Sequence, residues 1–371
     1  MDSPPRLASL DAMRGFAIAS MVLVNNPGDW GHLHAPLAHA KWNGWTFTDT
    51  VFPFFLFVSG VAMTLSMRVR TEAGTGSARL LVIAARRVAI IFAVGLTLNF
   101  IPAFDPASVR IPGVLQRIAV CALIAAPVVI WGGLRSALAA IAMLFVVYSL
   151  PMLLVPVPGP EGVVAAGALE PGRDFGAWVD RMVLGGHLWP VTRTWDPEGI
   201  VSTLPAAASL LAGVVAGYAL MTSRAMALAG ATLLVLGLAM DSVFMPINKN
   251  LWTPSYAVFM AGWSLVTLAI FRALLDEAPA GWRDRARAAC LPLTIFGMNA
   301  LFLFAFSGLL ARALTVVTVE PGVTLKARLF GPISAMPLSA ENASLVFAIL
   351  FQALMFAVAW IMWKKRWFIR A

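Results

Sequence analysis

Residues 114–156 read VLQRIAVCALIAAPVVIWGGLRSALAAIAMLFVVYSLPMLLVP, and the only charges in the stretch are Arg117 and Arg135. A helix rises about 1.5 Å per residue, so roughly 17–25 apolar residues cross the hydrocarbon core of a bilayer. The stretch holds two such runs, 114–131 and 135–156, separated by a turn that ends on Arg135. In lipid each run must satisfy its own backbone hydrogen bonds, which selects helix. Outward from this pair, similar runs recur at 8–26, 47–67, 81–101, 200–221, 225–245, 255–275, 289–312 and 343–363. The pattern predicts an all-α, polytopic transmembrane bundle of about ten spans in a single domain, 1–371.

Composition supports lipid as the solvent. The chain is 60% hydrophobic and 12% charged, with mean hydropathy +0.83, whereas soluble domains carry about 25% charged residues. Tryptophan outnumbers tyrosine 13 to 3. Trp30, Trp42, Trp131, Trp252 and Trp363 fall beside span ends, as interfacial anchors would. Pro53, Pro205 and Pro292 stand near span starts, where proline is tolerated. The first span holds Asp11 and Arg14 and lacks a small-residue cleavage site, so it does not read as a signal peptide. Cys121 and Cys290 lie in separate apolar runs and read as inert buried thiols; no spacing suggests a metal site or a disulfide.

The net charge of +9 is distributed as an orientation signal rather than as a nucleic-acid patch. With the N-terminus inside, one face receives sixteen positive charges against five acids. The positives are Arg6, Arg68, Arg70, Arg79, Arg86, Arg87, Arg135, Arg224, Arg272, Arg283, Arg285, Arg287, Lys364, Lys365, Arg366 and Arg370. The acids are Asp2, Glu72, Asp276, Glu277 and Asp284. The other face has ten positive charges and twelve acids on longer connections near 27–46, 157–199 and 313–342. Short basic loops face the cytoplasm, so both termini are expected there. The location expected is a bacterial inner membrane, and the chemistry is expected toward the outer face.

Three of the four histidines, His32, His34 and His39, lie in the first outer loop. Imidazole suits proton transfer near neutral pH, and Asn25, Asn26 and Asn43 are candidate oxyanion donors. Asp49, opening the second span, is placed to orient an imidazole. The alternative is a histidine-rich interfacial loop with Thr46 or Thr48 capping a helix. Asp11 and Arg14, three apart, read as an ion pair docking the first helix or as functional intramembrane charge. Arg117 reads as the holder of an anionic or carbonyl ligand, or as the partner of Asp49 or Asp105. Carboxylates and amides beside tryptophan, in Asp196-Pro197-Glu198-Gly199 and in Asn248-Lys249-Asn250-Leu251-Trp252, suit a polyhydroxylated amine or make solvated turns. Gly297-Met298-Asn299 puts an amide inside the ninth span, where an interhelical hydrogen bond is expected. His187 reads as a loop residue.

Together these stretches resemble the transmembrane acyltransferases related to heparan-α-glucosaminide N-acetyltransferase. The likeness rests on Leu10-Asp11 with Arg14-Gly15, on His39-Ala40-Lys41-Trp42-Asn43-Gly44, and on Asp49 with Phe52-Pro53. It continues in Arg110-Ile111-Pro112-Gly113-Val114-Leu115-Gln116-Arg117, Asn248-Lys249-Asn250-Leu251-Trp252 and Gly297-Met298-Asn299. The resemblance implies transfer of acetyl from cytoplasmic acetyl-CoA to the amine of a glucosamine-like amino sugar outside. It implies His39 and Asn25 as catalytic residues, with Asp49 beside them, and raises His39 above His32 and His34. CoA phosphates would need cationic partners, and the candidates for binding CoA are Arg14 and Arg117, with Gln116 beside them. Trp42, Asn43, Glu198, Asn248, Lys249 and Trp252 are the candidates for the sugar. No metal and no nucleic acid is expected, and homodimerisation stays open. The competing expectations are an amino-sugar permease without acyl transfer and a non-catalytic membrane partner of the same fold.

Overall fold

A computed structural model describes residues 7–159 and 162–369. Asp2, Arg6, Glu161 and Arg370 of the charge tally lie outside the described residues. In chain order the helices and strands are α1 (Ala8–Val24), α2 (Phe47–Glu72), α3 (Ser77–Phe100), α4 (Val114–Trp131) and α5 (Leu134–Leu154), then the hairpin β1 (Val157–Gly159) and β2 (Gly162–Val164). There follow α6 (Phe175–Leu184), α7 (Thr203–Ala219), α8 (Ser223–Val243), α9 (Pro254–Arg272), α10 (Ala280–Ala289), α11 (Leu291–Met298) and α12 (Ala300–Val316). The hairpin β3 (Thr318–Glu320) and β4 (Val323–Thr324), α13 (Leu325–Ser334) and α14 (Ala340–Lys364) complete the fold.

Helices occupy every apolar run identified above. Among the described residues seven are long and apolar enough to cross a membrane, or eight if the bent pair α11–α12 counts as one span. At 17 residues each, α1 and α7 sit at the short end of the spanning range. The protein is therefore a multi-pass α-helical membrane protein.

The ninth run, expected as one span over 289–312, is instead two helices meeting at 82°. Asn299 causes the break. Its amide donates to the carbonyl of Trp367 at 3.0 Å and accepts from the N–H of Ile369 at 2.9 Å, so it ties the C-terminal tail rather than extending a helix. The amide expected to bridge helices thus binds a tail backbone. A Cβ at Gly15 would collide with the carbonyl of Leu293, and one at Gly297 with the carbonyl of Asp11, so α11 runs antiparallel against α1 at backbone contact. Gly60 and Gly213 allow the same approach between α2 and α7. Lipid offers helices no hydrophobic drive to associate, so such small-residue contacts supply the dispersion that holds the bundle.

The connections expected outside gather at one end and carry more structure than loops. Tyr148 donates to the carbonyl of Leu251 at 2.9 Å, Gly44 N–H to Ile247 at 2.7 Å, and Trp42 Nε1 to Leu169 at 2.9 Å. Ile111 N–H and the His187 carbonyl are joined at 3.0 Å, and His187 Nδ1 contacts the carbonyl of Val109 at 2.8 Å. At the opposite end Ala8 N–H donates to Asp276, and Ser223 to Glu277. Trp30 and Trp131 are more than half exposed, as anchors should be. Trp252 is not one of them. It is 1% exposed, packed edge-on between Phe52 and Tyr256, with its N–H on Ser209. Its place beside a span end suggested an interfacial anchor, but the connection before α9 folds inward and makes it core.

Candidate active site

The site begins with the first turn of α2. Thr46 precedes the helix, and Asp49, 1% exposed, turns its carboxylate back over the entering chain. Oδ2 accepts the N–H groups of Ala40 and Thr46, each at 3.0 Å, and the Thr46 hydroxyl at 3.1 Å. Oδ1 lies 2.6 Å from His39 Nδ1. A buried ionised carboxylate only accepts, so Nδ1 carries the proton, and in the neutral ring the lone pair is on Nε2. Tyr256 donates to the Asp49 carbonyl at 2.5 Å. The ring is partly open, with 45% of the side chain exposed. One carboxylate therefore caps the helix, hangs the 40–46 loop and fixes the imidazole.

Lys249 approaches from the 244–253 connection. Its Nζ stands 3.2 Å from His39 Nδ1, 3.3 Å from Nε2 and 3.9 Å from Asp49 Oδ1. Asn248, fully buried, fixes that approach by donating to Asn43 at 3.0 Å and accepting from Leu251 N–H at 2.9 Å. The structure thus joins His39-Ala40-Lys41-Trp42-Asn43-Gly44 to Asn248-Lys249, across more than 200 residues of sequence.

A second polar group sits behind. Arg110 holds Asp196 with two bonds, at 2.8 and 2.5 Å, and Glu198 with one at 2.5 Å, while its guanidinium lies 5.6 Å from the Trp189 ring centre. Burial opposes the Arg110 charge, but Glu198 and Asp196 outweigh it and raise the guanidinium above its ordinary range. For Glu198 burial pushes upward, and Arg110, then Arg117 and Lys249, hold it below the usual carboxylate range.

Arg117 meets neither Asp49 nor Asp105. It is 1% exposed, donates to the Ser202 hydroxyl at 2.5 Å, and lies 5.1 Å from the centre of the Trp252 ring. Its Nε and Nη1, and the amide nitrogen of Gln116, meet no hydrogen-bond partner among the described residues. Gln116 faces Gly95 and Gly113. Arg14 donates to Asp11 at 3.1 Å, on the stretch of α1 that packs against α11.

Asn25 forms the C-cap of α1 and is exposed, while Asn26 beside it is buried and donates to Val22 at 2.7 Å. His32 contacts Asp29 at 2.7 Å and His34 contacts Asn342 at 3.0 Å. His32 closes a contact within the first loop and His34 ties that loop to the start of α14, both separate from the His39–Asp49 pair. Trp42 stacks edge-on against Trp195 at 5.1 Å.

Sequence reading passed over Arg110, Ser202, Tyr256 and Asp180. The acidic pair in Asp196-Pro197-Glu198 was a usable signal for a buried cation; Tyr256 and Ser202 gave none. Asp180, 3% exposed, accepts from Ile200 N–H at 2.8 Å and lines a cavity of about 20 Å3 with Tyr148, Asp174, Trp195, Asp196 and Asn250. Burial pushes its carboxyl up to about 7; the Ile200 N–H offsets part of this, and Asp196 adds to it. The native protein therefore holds a proton that the unfolded chain has released above its ordinary 3.8. That contribution is complete below about pH 4 and is lost as pH rises through about 7. Asp180→Asn should melt higher than the parent at about pH 8 and near it at about pH 4. An equal offset at both pH values, in thermal melts of detergent-purified protein, would rule out this titration.

Residues 6–170 match the family model for the catalytic region of heparan-α-glucosaminide N-acetyltransferase. Over 332 residues the chain is 30% identical to the heparan-α-glucosaminide N-acetyltransferase of Homo sapiens, covering 74% of this chain and 49% of that one. The Mus musculus enzyme of the same name is 28% identical over 330 residues, covering 74% and 50%. The chain spans about half the length of these curated relatives. The matched region contains the His39–Asp49 pair and the Arg110–Arg117 block, so the part of the chain that builds the candidate site is similar to the catalytic region of heparan-α-glucosaminide N-acetyltransferase.

Proposed function

We propose that this protein is a membrane-embedded acetyltransferase that moves acetyl from cytoplasmic acetyl-CoA to the amine of a glucosamine-like sugar at the outer face of a bacterial inner membrane. The observation that carries this reading is the imidazole of His39, oriented through Nδ1 by a buried carboxylate, with Nε2 turned away from that carboxylate. Ten spans with both termini inside complete the arrangement, supported by the charge asymmetry and by the gathering of the long connections at one end.

In the reaction, Asp49 holds Nδ1–H and stabilises the ring as it gains positive charge. His39 Nε2 takes a proton from the acceptor amine while that amine attacks the thioester carbon. The same nitrogen serves a two-step route, in which it first receives the acetyl group. Asn25 is proposed to donate to the oxyanion. Trp42, Asn43, Asn248, Lys249 and Glu198 are proposed to shape the sugar site, with Trp252 supporting it from behind. Arg14 is proposed for the anionic part of CoA; Arg117 and Gln116, with unsatisfied buried nitrogens, are proposed for a carbonyl or anionic group nearer the acceptor.

The test uses membrane vesicles of defined orientation. Right-side-out vesicles loaded with acetyl-CoA should acetylate external glucosamine and release CoA inside in equal amount, while inverted vesicles should need acetyl-CoA added outside. Purified protein should bind CoA calorimetrically. No binding at roughly millimolar CoA, with sugar passing unmodified, would defeat the acetyltransferase reading.

A further inference from the structure

Lys249 stands where an acceptor amine must stand. Asp49 engages Nδ1 of His39, so Nε2 is the ring nitrogen left for chemistry, and the Lys249 Nζ lies against the imidazole, 3.2 Å from Nδ1 and 3.3 Å from Nε2. The lysine is not a loose surface chain. Its side chain is 16% exposed, and the preceding Asn248 is locked to Asn43 and to the backbone of Leu251. Burial pushes the Lys249 ammonium below its usual range, against the pull of Asp49 and Glu198, with Arg117 adding to the lowering. A desolvated amine next to an imidazole base is the pairing that makes lysine a nucleophile. Held at contact distance, it reacts with the advantage of an intramolecular group.

We propose that Lys249 is an internal acyl acceptor, modified to Nε-acetyl-Lys249 when acetyl-CoA is present and the sugar is not. This rests on the acetyltransferase reading above. The amine, once its ammonium proton has left to solvent, attacks the carbonyl carbon of acetyl-CoA. The new N–C bond forms, the C–S bond breaks, and the remaining proton to be lost passes through His39 Nε2 to the departing thiolate. If His39 carries the acetyl group first, the bond broken in the second step is the one to Nε2 instead. Nothing is oxidised or reduced, and acetyl-CoA is the sole co-reactant. The product is a neutral amide seated against Nε2. It removes the cation that Asp49 and Glu198 share and fills the position of the acceptor, so the modified chain is switched off until it is deacetylated.

The experiment incubates the purified full-length chain with acetyl-CoA in an amine-free buffer and follows each lysine by peptide mass spectrometry. Exposed Lys365, at the opposite end of the bundle, reports ordinary chemical acetylation. Lys249 should gain one acetyl group at a rate at least about tenfold above Lys365. Glucosamine should suppress it, and His39→Ala should bring it down to the Lys365 rate. Lys249 staying unmodified, or rising only with Lys365, while the same preparation acetylates glucosamine overturns the proposal and leaves the enzyme reading standing. Equal modification in His39→Ala also overturns it. Acetylation of neither Lys249 nor glucosamine removes both.

Discussion

His39→Ala is expected to lower acetyl transfer to glucosamine by about 10²–10⁴-fold, and by more if the ring carries the acetyl group. The expectation follows from the tautomer that Asp49 imposes: without the ring, no other imidazole occupies that position, since His32 and His34 are bound to Asp29 and Asn342. His32→Ala and His34→Ala should therefore leave turnover within a few-fold of the parent. Folding and CoA binding should survive His39→Ala, because the 40–46 loop hangs from Asp49 through Ala40 and Thr46 and does not depend on the imidazole. Purified variants, assayed for acetylated sugar and released CoA together, settle the matter. Near-parental turnover in His39→Ala would take this residue out of the mechanism, and continued flux of unmodified sugar without CoA release would make the protein a permease.

The largest structural effect is expected at Arg110. Its guanidinium compensates Asp196 and Glu198, whose side chains are 0% and 9% exposed. Removing it leaves two carboxylates buried without their cation. Breaking such a pair costs about 3–5 kcal/mol, far more than the intact pair contributes over an apolar replacement. Arg110→Ala should thus lower the melting temperature sharply, and Arg110→Lys should recover only part, because a single ammonium cannot reproduce the two-pronged contact to Asp196. Adding Asp196→Asn to Arg110→Ala should restore some stability by deleting one stranded charge. Melts of Arg110→Ala within a degree or so of the parent would show that the network is solvated rather than buried.

Much of this molecule is legible along the chain because lipid enforces simple rules. Nine of the ten apolar runs became single helices and the remaining one broke in two, and the His39–Asp49 pair, ten residues apart, lies within one loop and one helix start. What could not be read depends on distant backbone. Lys249 reaches His39 across 210 positions, and Arg110 reaches Asp196 across 86; neither distance leaves a periodic trace. Trp252 was misplaced because proximity to a span end cannot tell a chain that stays at the interface from one that folds back. The break at Asn299 was hidden because one amide in an apolar run looks the same whether it bridges helices or ties a tail. Asp180 was missed since a single aspartate beside Arg181 shows no sign of burial, and its backbone partner Ile200 lies 20 positions away.

The carboxylate that opens α2 also sets how deep the chemistry sits. Because Asp49 is both the end of a membrane-length helix and the hook for the imidazole, the proposed reacting nitrogen is indexed to the start of α2 rather than to a flexible loop. Inserting one residue between Thr46 and Asp49 would swing the carboxylate about 100° around the helix, onto another face. The imidazole and the 40–46 segment would lose their shared anchor together. On the proposed function the bilayer edge would serve this protein as a ruler: thinning the membrane or sliding α2 would move the meeting point of acceptor and acyl donor by the same distance.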